Sequence, residues 1–342
     1  MSNEYRVAVV GATGAVGTAM RAILAERAFP VSELVPLASA RSADKELDFC
    51  GETVTCRELT PESFRGVDLA LFSAGAQSSL DYAPVARDAG CMVIDNSSAW
   101  RMDPRVPLVV PEVNPDDVDW HQGIIANPNC STIQMVMVMK PLHDEANITR
   151  VVVSTYQAVS GTGTEAIDEL MQQSGRVLRG ESPTIDVYPH QIAFNCLPHI
   201  DVFLDNGSTK EEQKMVDETK KIMGDDSISV TATCVRVPVQ NGHSEAINLE
   251  FSRPLSPERA RQLLTGARGV EVIDDPQNRL YPLPIVASGT DATYVGRIRH
   301  DPTVPNGLNL WVVADNLRKG AALNTVQIAE LLVERDLIRI SR

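Results

Sequence analysis

A cysteine at the start of a helix can act as a nucleophile, and Cys130 has that setting. Asn127-Pro128-Asn129-Cys130-Ser131-Thr132 precedes the apolar run Ile133–Met139. Asn129 is a good N-cap, which puts Cys130 in the first helical turn. There the unbonded N–H groups and the helix dipole stabilise a thiolate and lower its pKa. The same N–H groups, with the Asn129 amide, could hold an oxyanion. The other cysteines lack this context. Cys91 lies inside an expected strand, and Cys50, Cys56 and Cys234 read as small buried hydrophobes. None of the six cysteines forms a C-x-x-C pair and their spacing is irregular, so neither a disulfide framework nor a metal site is expected.

The second group with chemistry is the turn Gly11-Ala12-Thr13-Gly14-Ala15-Val16-Gly17, which follows an apolar strand and opens a helix. Glycines let backbone turn tightly and approach a pyrophosphate, and the helix N-terminus supplies donors and positive potential. The turn therefore predicts a dinucleotide. An NAD site places an acid at the end of the second strand. Here that strand ends Leu37-Ala38-Ser39-Ala40-Arg41-Ser42, with no acid at its tip. Arg41 and Ser42 suit a 2′-phosphate, so NADP is expected; Asp44 close by would oppose it if it faced the pocket. None of the six tyrosines has Lys four residues on, which disfavours the short-chain dehydrogenases. H-E-x-x-H, Walker A and G-x-S-x-G are absent as well. A reactive thiol beside a nicotinamide suggests oxidoreduction through a thioester, with a histidine to move the proton.

These groups need a scaffold. Tyr5–Val10, Leu34–Ala38, Val67–Phe72, Met92–Ile94 and Leu108–Val110 read as strands, alternating with helices at Ala15–Arg27 and Ser78–Ala89. That alternation predicts a parallel, doubly wound sheet. After about residue 148 the pattern changes. Arg150–Ser160, Ser229–Val239, Ala246–Ser252, Tyr294–Arg299 and Asn309–Ala314 read as longer strands with fewer helices between them, which predicts a mixed sheet. The expected fold is α/β: an N-terminal Rossmann-like parallel sheet and a second, α+β domain built on a mixed sheet.

The chain has 342 residues and a net charge of −14. Such a length suits two domains. The negative charge argues against a nucleic-acid or anionic-membrane partner. The opening residues lack the features of a signal peptide and no apolar run is long enough for a bilayer, so a cytoplasmic protein is expected.

With these residues in view, the chain resembles the aspartate-β-semialdehyde dehydrogenases, in their bacterial NADP-dependent branch. The resemblance runs nearly end to end. Its carriers are GATGAVG (11–17), SARS (39–42), DNSSAWRMD (95–103), VPLVVPEVN (106–114), ANPNCST (126–132), STYQAVSGTG (154–163), EEQKM (211–215), CVRVPVQNGHSE (234–245) and VADNLRKGAALN (313–324). The resemblance implies NADPH-dependent reduction of L-aspartyl 4-phosphate to L-aspartate 4-semialdehyde and phosphate, feeding lysine, methionine and threonine synthesis. It implies Cys130 as nucleophile, His243 as acid/base and Gln157 as the residue orienting the substrate. Arg101 and Lys214 resemble the phosphate binders, and Glu211 and Arg236 the holders of the α-amino and α-carboxylate groups. Thr13, Gly14, Ala15, Val16, Arg41, Ser42, Ser160, Gly161 and Asn316 match NADP-contacting positions. It also implies a homodimer, with domains of residues 1–129 and 130–321 and a final helix over 322–342 packing back on the first.

Taken alone, several of these residues have simpler readings. Ser208-Thr209-Lys210-Glu211 looks like a capping box, which would make Glu211 a helix cap. Lys214 could form a surface ion pair with it. His190 and His199 rank with His243 until the motif is considered. Asp44 and Trp100 stand where the family usually has Gly and Phe; the tryptophan is expected to change local packing only. The rival readings are an N-acetyl-glutamyl-phosphate reductase, whose substrate amine carries no charge, and a non-catalytic NADP-binding sensor.

Overall fold

The computed structural model describes residues 4–338. The chain divides into two compact units, one of Met1–Asn129 with Ala321–Arg342 and one of Cys130–Gly320.

In the first unit, apolar strands and helices alternate. They are β1 (Tyr5–Val10), α1 (Ala15–Glu26), β2 (Val31–Ala38), β3 (Glu46–Phe49), β4 (Glu52–Thr55), β5 (Arg57–Glu58), β6 (Leu69–Phe72), α2 (Ala76–Asp88), β7 (Met92–Asp95) and β8 (Ile124–Ala126). Six of the strands form a wholly parallel sheet in the order β5-β2-β1-β6-β7-β8. β6 and β8 are buried at every position, as strands in a covered parallel sheet are. The strand order reverses between β1 and β6, so the glycine turn after β1 opens at the switch point where such sheets bind ligands.

Two local expectations fail here. Leu108–Val110 makes only an isolated bridge, Leu108 to Ala126, and β8 supplies the edge strand instead. Pro107 and Pro111 flank that segment and have no N–H to give a ladder. Cys50 is exposed rather than buried. It forms the tip of the β3–β4 hairpin with Gly51, both at positive φ (55° and 81°).

The second unit contains α3 (Cys130–Ala146), β9 (Ile148–Gln157), α4 (Thr164–Leu178), α5 (Lys210–Met223), β10 (Ser229–Arg236), β11 (His243–Phe251), α6 (Pro257–Thr265), β12 (Val270–Val272), α7 (Pro284–Ala287), β13 (Thr293–His300) and β14 (Gly307–Ala314). Its sheet runs β10-β9-β11-β14-β13-β12. The pairs β10/β9 and β12/β13 are parallel and the others antiparallel, giving the mixed sheet expected. Along β11, Ile247, Leu249 and Phe251 are buried and alternate with half-buried residues. That period of two leaves one face for α3 to pack on.

The chain then returns to the first unit as α8 (Leu323–Glu334). Ala322, Leu323, Val326, Ala329 and Leu332 join the core built by Val7, Met20, Ile23 and Leu24. The helix is shorter than the 322–342 span that the resemblance implies. It stops at Glu334 because Asp336 takes the left-handed conformation (φ 55°), with Leu337 N–H bonded to Leu332 O and Asp336 N–H to Val333 O. This is a Schellman stop, and Leu337 packs against the core cluster that contains Leu332. Residues 339–342 of the expected helix lie outside the described residues.

Candidate active site

In the second unit, sheet register brings scattered sequence positions into rows. Arg236 at the end of β10 pairs with Gln157 at the end of β9. Ser244 of β11 pairs with the neighbouring Tyr156, which sets His243 beside Gln157. All three side chains are buried, His243 completely. His190, by contrast, is exposed, and His199 stacks on Phe203 with ring centroids 4.4 Å apart. Burial separates the three histidines where sequence position did not.

The Ala158 N–H donates to His243 Nδ1 at 3.0 Å. In the neutral ring that bond leaves the proton on Nε2. Burial and the Arg236 guanidinium, opposed by the Glu211 carboxylate, bring the imidazole down to about 3, so the resting ring is neutral. Gln157 Nε2 lies 3.5 Å from His243 Nε2 and donates to Glu211 Oε1 at 3.1 Å; its Oε1 accepts from Thr155 Oγ1 at 3.1 Å. Arg236 Nη1 donates to Ala158 O at 2.7 Å. Its buried Nε has no partner among the described residues, a donor suited to an incoming carboxylate.

Glu211 is not the helix cap. Thr209 caps α5, exchanging bonds with Glu212, whose other oxygen accepts from Cys234 N–H. The capping box is shifted by one residue, and Glu211 turns to Gln157 instead. Lys214 Nζ lies 3.0 Å from Glu211 Oε2 and 2.8 Å from Asp201 Oδ2. Burial alone would pull this ammonium down, but the two carboxylates hold it above its ordinary value. The pair is partly buried, not a surface ion pair, and Asp201 had no signal in the sequence.

Ser160 and Asn316 meet each other, and Asn316 also holds the His243 turn. Asn316 Nδ2 donates to Ser160 Oγ at 2.9 Å, and Gly242 N–H donates to Asn316 Oδ1 at 2.9 Å. Asn241 donates to Asp315 Oδ2, and Gly242 sits at φ 92°. Two glycines press flat against the site. A Cβ on Gly161 would come within 3.3 Å of the His243 ring and 3.0 Å of Arg236. One on Gly320 would meet Cys130 Cβ at 2.9 Å. Gly320, Asn241 and Asp315 are the positioning residues that motif reading passed over. Cys130 opens α3 and is partly exposed. The Cys91 and Cys234 thiols are buried and pushed up by it, so neither competes as a nucleophile.

Arg101 and Asn129 belong to the first unit. Arg101 is buried and donates to Asn127 O and Asn96 O, both at 2.9 Å. Asn127 is held in turn by Asn96 and Asn324, which fixes the loop that ends at buried Asn129. Trp100 does more than pack: its indole N–H donates to Ser79 Oγ at 3.0 Å, which phenylalanine could not do.

The first unit also holds a cleft of about 530 Å³, lined by Gly11, Thr13, Gly14, Arg41 and Ser42 among others. Asp44 is outside this lining, but Glu58, brought alongside Ala38 by β5, is within it. α1 begins here with no side-chain cap and no acid in its first turn, so its N–H groups remain for an anion. Ala15, Val16 and Gly17 form that first turn. The glycines differ in their reasons. A Cβ on Gly17 would lie 2.2 Å from Gly11 O, inside the turn itself. A Cβ on Gly14 would meet nothing closer than 3.5 Å, so its bareness serves an approaching ligand. Gly14→Ala should therefore leave the melting temperature nearly unchanged and weaken dinucleotide binding at least about tenfold. Gly17→Ala should lower stability by roughly 3 kcal/mol or more. Thermal melts and dinucleotide titrations on both variants check this; equal melting losses would show that Gly14 is structural.

Comparison with known proteins places this chain in the semialdehyde dehydrogenases. The family model described as "Semialdehyde dehydrogenase, NAD binding domain" matches residues 6–121, and "Semialdehyde dehydrogenase, dimerisation domain" matches 139–319. An aspartate-semialdehyde dehydrogenase of Aquifex aeolicus is 60% identical over 98% of this chain and 99% of its own. The solved aspartate semialdehyde dehydrogenase II of Vibrio cholerae, complexed with ASA, is 49% identical, with a TM-score of 0.94 over 97% of this chain and 99% of that one. A more distant structure, the Candida albicans enzyme with NADP, is 27% identical with a TM-score of 0.78 over 98% of this chain and 100% of that one. The chain belongs to the aspartate-semialdehyde dehydrogenase family.

Proposed function

We propose that the protein reduces L-aspartyl 4-phosphate to L-aspartate 4-semialdehyde and phosphate with NADPH, through a thioester on Cys130. The observation that carries this is the buried run Lys214–Glu211–Gln157–His243, with Arg236 alongside, in the unit whose first helix opens on Cys130. The substrate has an ammonium, a carboxylate and a phosphate. Glu211 suits the first, the free Nε of Arg236 the second, and Lys214 with Arg101 the third.

The Cys130 thiolate attacks the acyl carbon, the carbon–oxygen bond to phosphate breaks, and phosphate leaves with the electron pair. Gln157 orients the acyl group, and Asn129 with the helix N–H groups steadies the oxyanion. A bound nicotinamide dinucleotide supplies the hydride that reduces the thioester carbonyl. The carbon–sulfur bond then breaks, its electron pair returning to the Cys130 sulfur as the oxyanion closes to the aldehyde carbonyl, and His243, the acid/base of this reading, holds the departing group through a hydrogen bond from Nε2–H. The tautomer set by Ala158 makes the resting imidazole a hydrogen-bond donor at Nε2, as that contact requires.

NADPH is proposed over NADH from Arg41 and Ser42 in the cleft, with Ser160, Gly161 and Asn316 as further contacts. Glu58 favours NADH, because an acid there could accept from a ribose hydroxyl. The ratio of kcat/KM for the two cofactors decides. A preference for NADPH that falls about tenfold or more in Arg41→Ala supports the 2′-phosphate reading; no preference in the unaltered protein overturns it.

The reaction is tested by NADPH absorbance with aspartate semialdehyde and NADP, with and without phosphate. Phosphate-dependent NADPH formation is the expected result. Reaction with N-acetylglutamate semialdehyde instead would make Glu211 a misleading residue, and silence with both would favour a sensor. The same reading includes a cytoplasmic homodimer serving lysine (through diaminopimelate), methionine and threonine synthesis. Tyr156, 39% exposed on the sheet, is consistent with such a dimer face. Among the described residues no helix is long and apolar enough to cross a membrane, and no cluster of side chains could hold a metal.

A further inference from the structure

Glu245 has no part in the chemistry above, yet it is fully buried on β11, two residues after His243 and on the same face of the sheet. Thr155 lies opposite it on β9, and Cys234 of β10 lies opposite Thr155. These three form the row directly behind Arg236, Gln157 and His243. On α3, Gln134 follows Cys130 by four residues, on the same side of the helix, and is buried too.

Neither carboxyl oxygen of Glu245 and neither amide atom of Gln134 has a partner at hydrogen-bond geometry among the described residues. The two side chains are neighbours all the same: Gln134 is the hydrogen-bonding group that acts on the Glu245 carboxyl. Four unmatched polar atoms in a buried core are costly. An ionised carboxylate can only accept, so it could satisfy the amide N–H but never the amide oxygen. A carboxylic acid donates its O–H to Gln134 Oε1 and accepts from Nε2, and so matches both. Burial pushes the Glu245 carboxyl well above the usual carboxylate range, with Gln134 as the opposing influence. The other titratable groups near this region are Cys234 in the same row, His243 and Arg236 in the next row, and Glu211 and Glu212 on α5.

We propose that Glu245 is a positioning residue held as the neutral acid, whose acid–amide pair with Gln134 ties the helix carrying Cys130 to the strand carrying His243. The proposal rests on the roles given above to those two residues, but its first test does not use turnover. Infrared spectra of the full-length protein at neutral pH should contain a protonated-carboxyl carbonyl band that is missing from Glu245→Gln and displaced in Gln134→Leu. Cys130 alkylation by iodoacetamide, followed against pH, should keep its midpoint in Glu245→Gln, because one neutral group replaces another. In turnover, Gln134→Glu should lower kcat at least about tenfold with little change in KM, by setting two acids against each other. The exchange Glu245→Gln with Gln134→Glu should recover most of that loss. Absence of the infrared band, or an alkylation midpoint that moves to lower pH in Glu245→Gln, would mean an ionised carboxylate and overturn the proposal. Failure of the exchange to recover kcat in folded protein would overturn the pairing.

Discussion

Replacing Cys130 with alanine is expected to lower turnover by at least about 10⁴-fold, because no other group can form the covalent intermediate. Dinucleotide binding should survive, since the glycine turn, Arg41 and Ser42 lie in the other unit, around their own cleft. The thermal midpoint should change little, as Cys130 is only partly buried and loses one sulfur. Steady-state assay, NADPH titration and a thermal melt on one preparation check all three outcomes. Turnover within about a hundredfold of the parent would sink the nucleophile assignment.

His243→Gln is expected to cost about 10² to 10⁴-fold in kcat, the range for loss of a positioned acid/base group. It carries a second consequence through linkage. In the unfolded chain a histidine takes up a proton as pH falls through about 6.5. In the folded protein His243 resists until about pH 3. Its folded pKa lies below the unfolded one, so stability is greatest above that upper value and is lost as pH falls across the interval. Urea melts at pH 7.5 and at pH 5 should show the parent losing more stability than the glutamine variant. Equal losses would mean that the buried ring is not protected from protonation.

Much of this architecture is legible in the residues, for a physical reason. The parallel sheet and the Gly11–Gly17 turn rest on local rules, apolar period and φ freedom, that operate within a few residues. What escapes is set by neighbours distant in sequence. Ile124–Ala126 becomes a strand because β7 offers it a ladder. Cys50-Gly51 makes a hairpin turn although the usual Asn or Asp is absent. Glu211 is freed for the site because Thr209, not Ser208, caps the helix. The site divides along the same line. Cys130 has a local signature in its helix start. Gln157, Arg236 and His243 acquire a shared setting only through register across β10, β9 and β11, and Gly320 only through its contact with Cys130. For those residues the motifs of a family carried what spacing could not.

The return of α8 has a bearing on synthesis. Residues 130–320 are contiguous, so the second unit can assemble once it clears the ribosome. The first unit cannot, because Leu323, Val326, Ala329 and Leu332 belong to the core around Val7, Ile23 and Leu24. The part translated first is thus completed last, and its apolar seam stays open through most of elongation. A nascent chain stalled before Leu323 would offer that seam to chaperones while already holding a finished neighbour.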